Sequence, residues 1–414
     1  MTVIAPKGWC PSLSSPMPAG DGLLVRVHPP GGRLHSPGAR ALARAAQQFG
    51  NGTIELGMRG SLQIRGLRPA TIAAFQAEMV AAGLAHPDPQ AEARRNLIAP
   101  PLACDDPTAA QVLDIVGRLE ALQATDPLFS RLHGKFGLLV DAGGILPVGA
   151  ARADIRIFVS GGCIAVQPDG AAFAAIVSPA TIDEALRSLV TAFLRLSEPC
   201  AEPLPRMRQV VARFGAERLF ALAELHVTVA VTPPPTPQVR GWLPYPGGGR
   251  GAFGIGLPFG SMDAATLTVL ARIAEQHGGG SLHLTPWRAL VITNVRAPDA
   301  LQQSLSGLPV IADPDDPLLR IAACPGEPAC MAATVPTRSD ALRLLALGLP
   351  GMLHVAGCAK GCAHPAAADV TLVGEAGHYA LVHAGTSGDR PMRTGMTIEE
   401  VIATLRRAVS ETAP

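Results

Sequence analysis

Apolar and polar positions follow one order of periods twice along this chain. In the first copy, Gly22–Val27 (GLLVRV) reads as a strand that ends at the turn Pro29-Pro30-Gly31-Gly32. Over residues 37–49, Leu42, Ala45, Ala46 and Phe49 recur at the spacing of one helix face, and Gly50-Asn51-Gly52 stops the run. Thr53–Leu56 and residues 61–65 then read as short strands, and 69–82 as a second helix. Further along, 251–257 reads as a strand and 262–276 as a helix, broken by Gly278-Gly279-Gly280. Strands at Ser281–Leu284 and 289–293 and a helix over 298–306 complete the echo. Pro30-Gly31 and Arg59 in one copy answer to Phe259-Gly260 and Arg288 in the other, each Arg in the tight turn between the second and third strands. The pattern predicts an internal duplication of an open α+β half-domain.

Each half is followed by a longer segment, and the Pro-rich stretch 231–238 (VTPPPTPQ) reads as an extended linker. Four parts are expected: half-domains over 1–84 and 236–307, and larger α/β domains over 85–235 and 308–414. The opening residues lack a charged region followed by an apolar core, and the apolar stretch 344–359 is broken by Pro350 and His354. The expectation is a cytoplasmic protein without a membrane span.

Charge adds one exclusion and one hint. Thirty-four basic residues balance thirty-three acidic ones, so no uncompensated basic field exists to hold nucleic acid or a membrane surface. Only Lys7, Lys135 and Lys360 are lysines, and the rest of the basic set is Arg, whose planar fork suits a ligand with several carboxylates.

Candidate chemistry concentrates late in the chain. Cys324 and Cys330 enclose five residues and Cys358 and Cys362 enclose three, and Pro and Gly between them permit tight turns with backbone N–H groups near sulfur. Two close thiol pairs in a reducing compartment point to a metal centre. Five intervening residues suit an iron–sulfur cube better than zinc, though zinc and unligated thiols stay open at this point. Cys10, Cys104, Cys163 and Cys200 are scattered singly and are expected to be buried small hydrophobes.

This arrangement of cysteines in the second of two duplicated halves resembles the sulfite and nitrite reductase family. Arg26-Val-His28-Pro-Pro-Gly31-Gly32 is similar to that family's first strand and turn, and Leu56-Gly-Met-Arg59-Gly-Ser-Leu-Gln63 to its Arg-containing turn. Arg95-Asn96, Leu132-His-Gly-Lys135-Phe136-Gly137 and Thr285-Pro286-Trp287-Arg288 match further family motifs, so the resemblance spans nearly the whole chain. It implies an α+β fold: duplicated ferredoxin-like half-domains plus two sulfite-reductase-type cluster and tetrapyrrole domains, related by a pseudo-twofold axis, with a tetrapyrrole between them. It also implies a 4Fe-4S cluster on Cys324, Cys330, Cys358 and Cys362, and carboxylate contacts from Arg26, Arg59, Lys135, Arg95 and Arg288. The motifs single out no catalytic residue.

Two departures direct the expectation within the family. His28 stands for an Arg and Gly137 for a second Lys, and both lost cations would serve a bound oxyanion. The openings GWCPSLSSPMPAGDG and HVAGCAKGCAHP resemble the family's oxygen-dependent branch, in which metal-free precorrin-3A is the substrate in aerobic cobalamin biosynthesis. That branch implies hydroxylation at C20 with closure of a γ-lactone, fed by an electron donor such as an NADH-linked reductase or a ferredoxin. A mononuclear non-haem iron is implied as well, with His28, His133, His354 and His364 as candidate ligands. Gly137 would then leave room beside the ring face. The rival is a sulfite or nitrite reductase holding sirohaem; a non-enzymatic electron carrier would need no carboxylate-gripping motif.

Overall fold

The computed structural model describes residues 11–198 and 204–412. The chain forms two compact units, one built on 24–314 with residues 11–17, the other on 315–412 with 18–23.

In the larger unit, Gly22–Val27, Leu62–Leu67, Thr53–Leu56 and Ser261–Asp263 lie side by side in that order. A second sheet has the order Gly241–Pro244, Gly251–Gly256, Ala289–Val295, Ser281–Leu284 and Arg33–His35. The two half-domains have therefore exchanged a strand. Ser261–Asp263 pairs antiparallel with Thr53–Leu56, Met262 opposite Ile54, while Arg33–His35 pairs with Ser281–Leu284, Leu34 opposite Leu282. Each exchanged strand leads directly into a helix, Ser36–Phe49 or Ala264–His277. The second begins at residue 264 and not at 262, because 261–263 is spent on the exchanged strand and Asp263 caps the helix by accepting from Thr266 N at 2.7 Å. The helices meet across the pseudo-twofold relation, where the buried Ser36 hydroxyl donates to the Ala271 carbonyl at 2.9 Å. The duplication holds in backbone detail: Gly31 and Phe259 sit at equivalent points of their turns with φ of 57° and 54°.

A third sheet in the same unit has the order Val227–Ala230, Phe173–Val177, Cys163–Pro168, Ile155–Ser160, Leu138–Asp141 and Leu97–Ile98. Its core is filled by residues such as Leu119, Phe136, Ile157, Val166 and Phe193 from the sheet and its covering helices. Its first residue matters for the site. The strand after Lys135 starts only at Leu138, so Lys135 lies in a turn and not on a strand, against the sequence expectation.

The smaller unit is one sheet, Ile321–Ala323, Leu353–Ala356, Ala368–Glu375, His378–Gly385 and Arg393–Met396, with helix Thr337–Leu345 between its first two strands. Ile321–Ala323 and Leu353–Ala356 are parallel, Ala323 opposite Val355. Their C-terminal ends thus open on the same edge of the sheet, where ligands of parallel sheets collect. Cys104 and Cys163 are exposed, which corrects their reading as buried hydrophobes, and Cys10 and Cys200 lie outside the described residues.

Candidate functional site

Strand alternation sets the first cations. Val25 and Val27 are fully buried in the core, so Arg26 and His28 project together from the opposite face. Arg59 rides a turn closed by Gly57 N donating to Ser61 O at 2.8 Å, with Gly60 at φ 62° where a side chain would be strained. Arg95 follows the short helix Pro89–Arg94 and pairs with Glu92 at 3.0 Å. Glu92 also accepts from His86 N at 2.7 Å, yet burial pushes its carboxyl above the usual range. Next to Arg95, Asn96 is 4% exposed and donates its amide to the Phe136 carbonyl at 3.1 Å, joining the Arg95 and Lys135 segments.

The Lys135 turn is held from below by Asp154. This carboxylate is 1% exposed and accepts from Gly137 N at 3.0 Å, Met207 N at 3.1 Å, and Arg206 Nε and Nη2 at 2.9 and 2.6 Å. The residue is absent from every motif noticed in the sequence, because it acts from 17 positions beyond Gly137 and nothing local marks it.

Two histidines report the field of these cations. His28 lines a pocket that opens at Ser15, and burial of its ring first, then the charges of Arg26, Arg95 and Arg59, lower its pKa to about 3. His133 is lowered by burial first, then by Arg206, with Asp154 opposing and Lys135 and Arg59 adding to the depression. Arg26, Arg59, Arg95 and Lys135 are thus gathered round two neutral imidazoles, and the shared field favours an anion.

Acid should expose this design. A histidine held neutral in the fold takes a proton readily once unfolded, so below pH 6.5 the unfolded chain binds more protons and stability falls as pH drops. For His28 the window runs from 6.5 down to about 3. Urea midpoints should fall from pH 7 to pH 4, and His28→Gln should flatten the slope by at most about 1.4 kcal/mol per pH unit. An unchanged slope in that variant would show that His28 is accessible to protons in the fold.

Arg288 does not repeat Arg59. Gly57 N to Ser61 O in one copy matches Thr285 N to Ala289 O in the other, and the left-handed residues are Gly60 and Arg288. Trp287 therefore stands in the register of Arg59, and it packs into apolar clusters containing Leu102, Leu146 and Leu139. The stem of Arg288 lies on Gly260, about 3 Å from where a Cβ would be, so Arg288 shares the turn with Arg59's counterpart but sits one position further on. Gly137 also differs from expectation. A Cβ there would meet the Asn96 amide at 3.2 Å, so the glycine leaves room for Asn96 and not for open space.

In the smaller unit, Cys324 directly follows Ile321–Ala323 and Cys358 comes two residues after Leu353–Ala356, so the parallel strands deliver both thiols to one edge. Gly357 N donates to the Cys324 sulfur at 3.2 Å, an approach available because a Cβ on Gly357 would meet that of Ala333 at 2.6 Å. Thr337 Oγ1 lies 3.8 Å from the same sulfur. Burial pushes the Cys362 thiol up, Lys360 opposes, and Cys358, Cys324 and Cys330 add to the rise, which puts all four thiols within electrostatic range.

Among the described residues no three His, Cys, Asp or Glu side chains are placed to hold a single metal ion. The candidate iron ligands are divided accordingly. His28 and His133 belong to the cationic site, while His354 and His364 lie in the smaller unit with ring centroids 5.7 Å apart.

Comparison with known proteins agrees with the duplication. The family model for the nitrite/sulfite reductase ferredoxin-like half domain matches residues 15–82 and 245–302. The chain is 33% identical over 407 residues to precorrin-3B synthase of a Sinorhizobium species, covering 93% of this chain and 84% of that one. It is 25% identical to the ferredoxin–nitrite reductase of Synechococcus elongatus, over 85% of this chain and 76% of the other. The solved structure of Mycobacterium tuberculosis NirA superposes with a TM-score of 0.72 at 19% identity, covering 94% of this chain and 80% of NirA, a likeness of fold. With its exchanged half-domains, its cationic site and its relation to the Sinorhizobium protein, the chain belongs to the precorrin-3B synthase branch of the nitrite/sulfite reductase family.

Proposed function

We propose that this protein is a precorrin-3B synthase, an oxygen-dependent monooxygenase that hydroxylates precorrin-3A at C20 with closure of a γ-lactone. The observation that carries the reading is the set of cations around His28 and His133 in a chain related along nearly its full length to such an enzyme. One oxygen atom enters the macrocycle as hydroxyl, and the other leaves as water after two electrons and two protons are supplied. Arg26, Arg59, Arg95 and Lys135 hold the substrate's carboxylates, which fixes the ring against rotation and sheds its carboxylate hydration in advance of reaction. His28 and His133, neutral at physiological pH, add ring nitrogens that hydrogen-bond without adding charge.

Cys324, Cys330, Cys358 and Cys362 fit a 4Fe-4S cluster, with the Gly357 N–H aimed at sulfur as hydrogen bonding to a cluster ligand requires. Held by these cysteines, a cluster would supply single-electron transfer, with an NADH-linked reductase or a ferredoxin as the donor. No histidine set supports a separate mononuclear iron. The sirohaem-reductase alternative is disfavoured by His28 and Gly137, which stand where the family motifs carry an Arg and a Lys that would serve a bound oxyanion.

The test is turnover of precorrin-3A under oxygen with a reductant, read by mass as gain of one oxygen atom; reduction of sulfite or nitrite instead would overturn the reading. Arg59→Ala should weaken tetrapyrrole binding by about 1.5–3 kcal/mol, the range for a charge-assisted hydrogen bond, with an unchanged melting temperature. Equal affinity in the folded variant would remove Arg59 from the binding site.

A further inference from the structure

Beside the cations lies a cavity. It has a volume of about 130 Å³ and is lined by Pro11, Ser12, Ser15, Arg26, His28, Ala93, Asn96 and Gly134. That is room for a small carboxylate-bearing arm and far short of a macrocycle. One wall is the segment before the first strand, folded into a tight turn: Ser12 N donates to Ser15 O at 3.1 Å, and Ser15 N to Ser12 Oγ at 3.0 Å. Leu13 pins this turn, its side chain 3% exposed and its carbonyl accepting from Gln76 Nε2 at 2.6 Å. The Ser12 hydroxyl is buried at the cavity and Ser15 stands exposed at its edge.

The charges that act most on His28, those of Arg26, Arg95 and Arg59, are positive, although Arg95 is also paired with Glu92. The cavity therefore combines a cationic field with neutral hydroxyl, amide and imidazole groups. We propose that it takes one acetate arm of the tetrapyrrole, with Ser12 and Ser15 as hydroxyl donors that complement Arg26. A carboxymethyl group, four heavy atoms, fits within that volume, and a propionate arm is one methylene longer. This inference rests on the tetrapyrrole reading above and adds which arm is selected and by which residues. Hydroxyls and a neutral imidazole hold a carboxylate with orientation but without a second fixed cation, so the arm stays exchangeable.

Anaerobic calorimetry with two porphyrinogens tests it. Uroporphyrinogen III carries four acetate and four propionate arms, and coproporphyrinogen III has methyl groups in place of the acetates. Ser15→Ala leaves the backbone and Ser12 bonds of the turn in place, and should bind uroporphyrinogen about tenfold more weakly with coproporphyrinogen unchanged. Ser15→Asp, which puts a carboxylate at the mouth, should lose more on uroporphyrinogen alone. Equal losses on both ligands, or none on either, would overturn the acetate subsite while leaving the tetrapyrrole reading standing. Failure of the unaltered protein to bind either ligand would overturn both.

Discussion

Cys358→Ser is expected to yield a protein without brown colour, without acid-labile sulfide and without turnover. On the proposed cluster reading the four thiols of the smaller unit act as a set: the parallel strands bring Cys324 and Cys358 to one edge, and Cys324, Cys330 and Cys358 all act electrostatically on Cys362. A serine hydroxyl is a poor substitute for thiolate, and a cube short of one ligand has no second thiol among the described residues of that unit to recruit. The same loss is expected at Cys324, Cys330 and Cys362. Cys104→Ser serves as the control: the residue is exposed and its sulfur lies 3.7 Å from Arg33 in the other unit, so iron and sulfide should be retained. Iron and sulfide analysis decides the matter. One zinc per chain without sulfide, or full iron in Cys358→Ser, would end the cluster reading.

The second large effect concerns folding. Asp154→Ala should lower unfolding free energy by about 3 kcal/mol in urea titrations. Loss of the carboxylate leaves the Gly137 and Met207 N–H groups without their acceptor and breaks the forked pair with Arg206. Breaking one side of a buried pair costs roughly 3–5 kcal/mol, and the lower end applies because Arg206 is 33% exposed. Asp154→Asn should recover part of the loss, since its amide oxygen can still accept one of these bonds. An urea midpoint equal to the unaltered protein would mean that water replaces the carboxylate. Because Gly137 is two residues from Lys135, the Ala variant should also weaken substrate binding, more than an equally destabilising change in the distant core.

The sequence and the structure agree where the physics is local. Strand and helix periods marked both half-domains, since each element buries its own apolar face and the pattern needs no knowledge of partners. The cysteine spacing was equally plain, because short loops carry the ligands. Arg26, Arg59, Arg95 and Lys135 were legible through their motifs, and the structure brings them round His28 and His133. What stayed hidden depends on pairing at long range. Arg33–His35 and Ser261–Asp263 are three residues each, too short for alternation to register, and their partners come from the other half. Arg288 looked like Arg59 because both lie in a five-residue turn, and only the hydrogen-bond register showed them one position apart. Asp154 carries no local mark at all. Its meaning comes from what the fold sets beside it.

The exchanged strands have a consequence for how the protein is made on the ribosome. Thr53–Leu56 gains its outer partner only from Ser261–Asp263, roughly 200 residues later in the chain. At about 5–20 residues per second, the first sheet waits on the order of 10–40 s after its own residues emerge before that edge can close. Arg33–His35 waits longer still, for Ser281–Leu284. During that interval an unpaired strand edge is open to pairing with a neighbouring nascent chain. Chaperone demand during synthesis should therefore be set by the gap between the two repeats, and lengthening the stretch that joins them should lower the yield of folded protein even where the finished fold is equally stable.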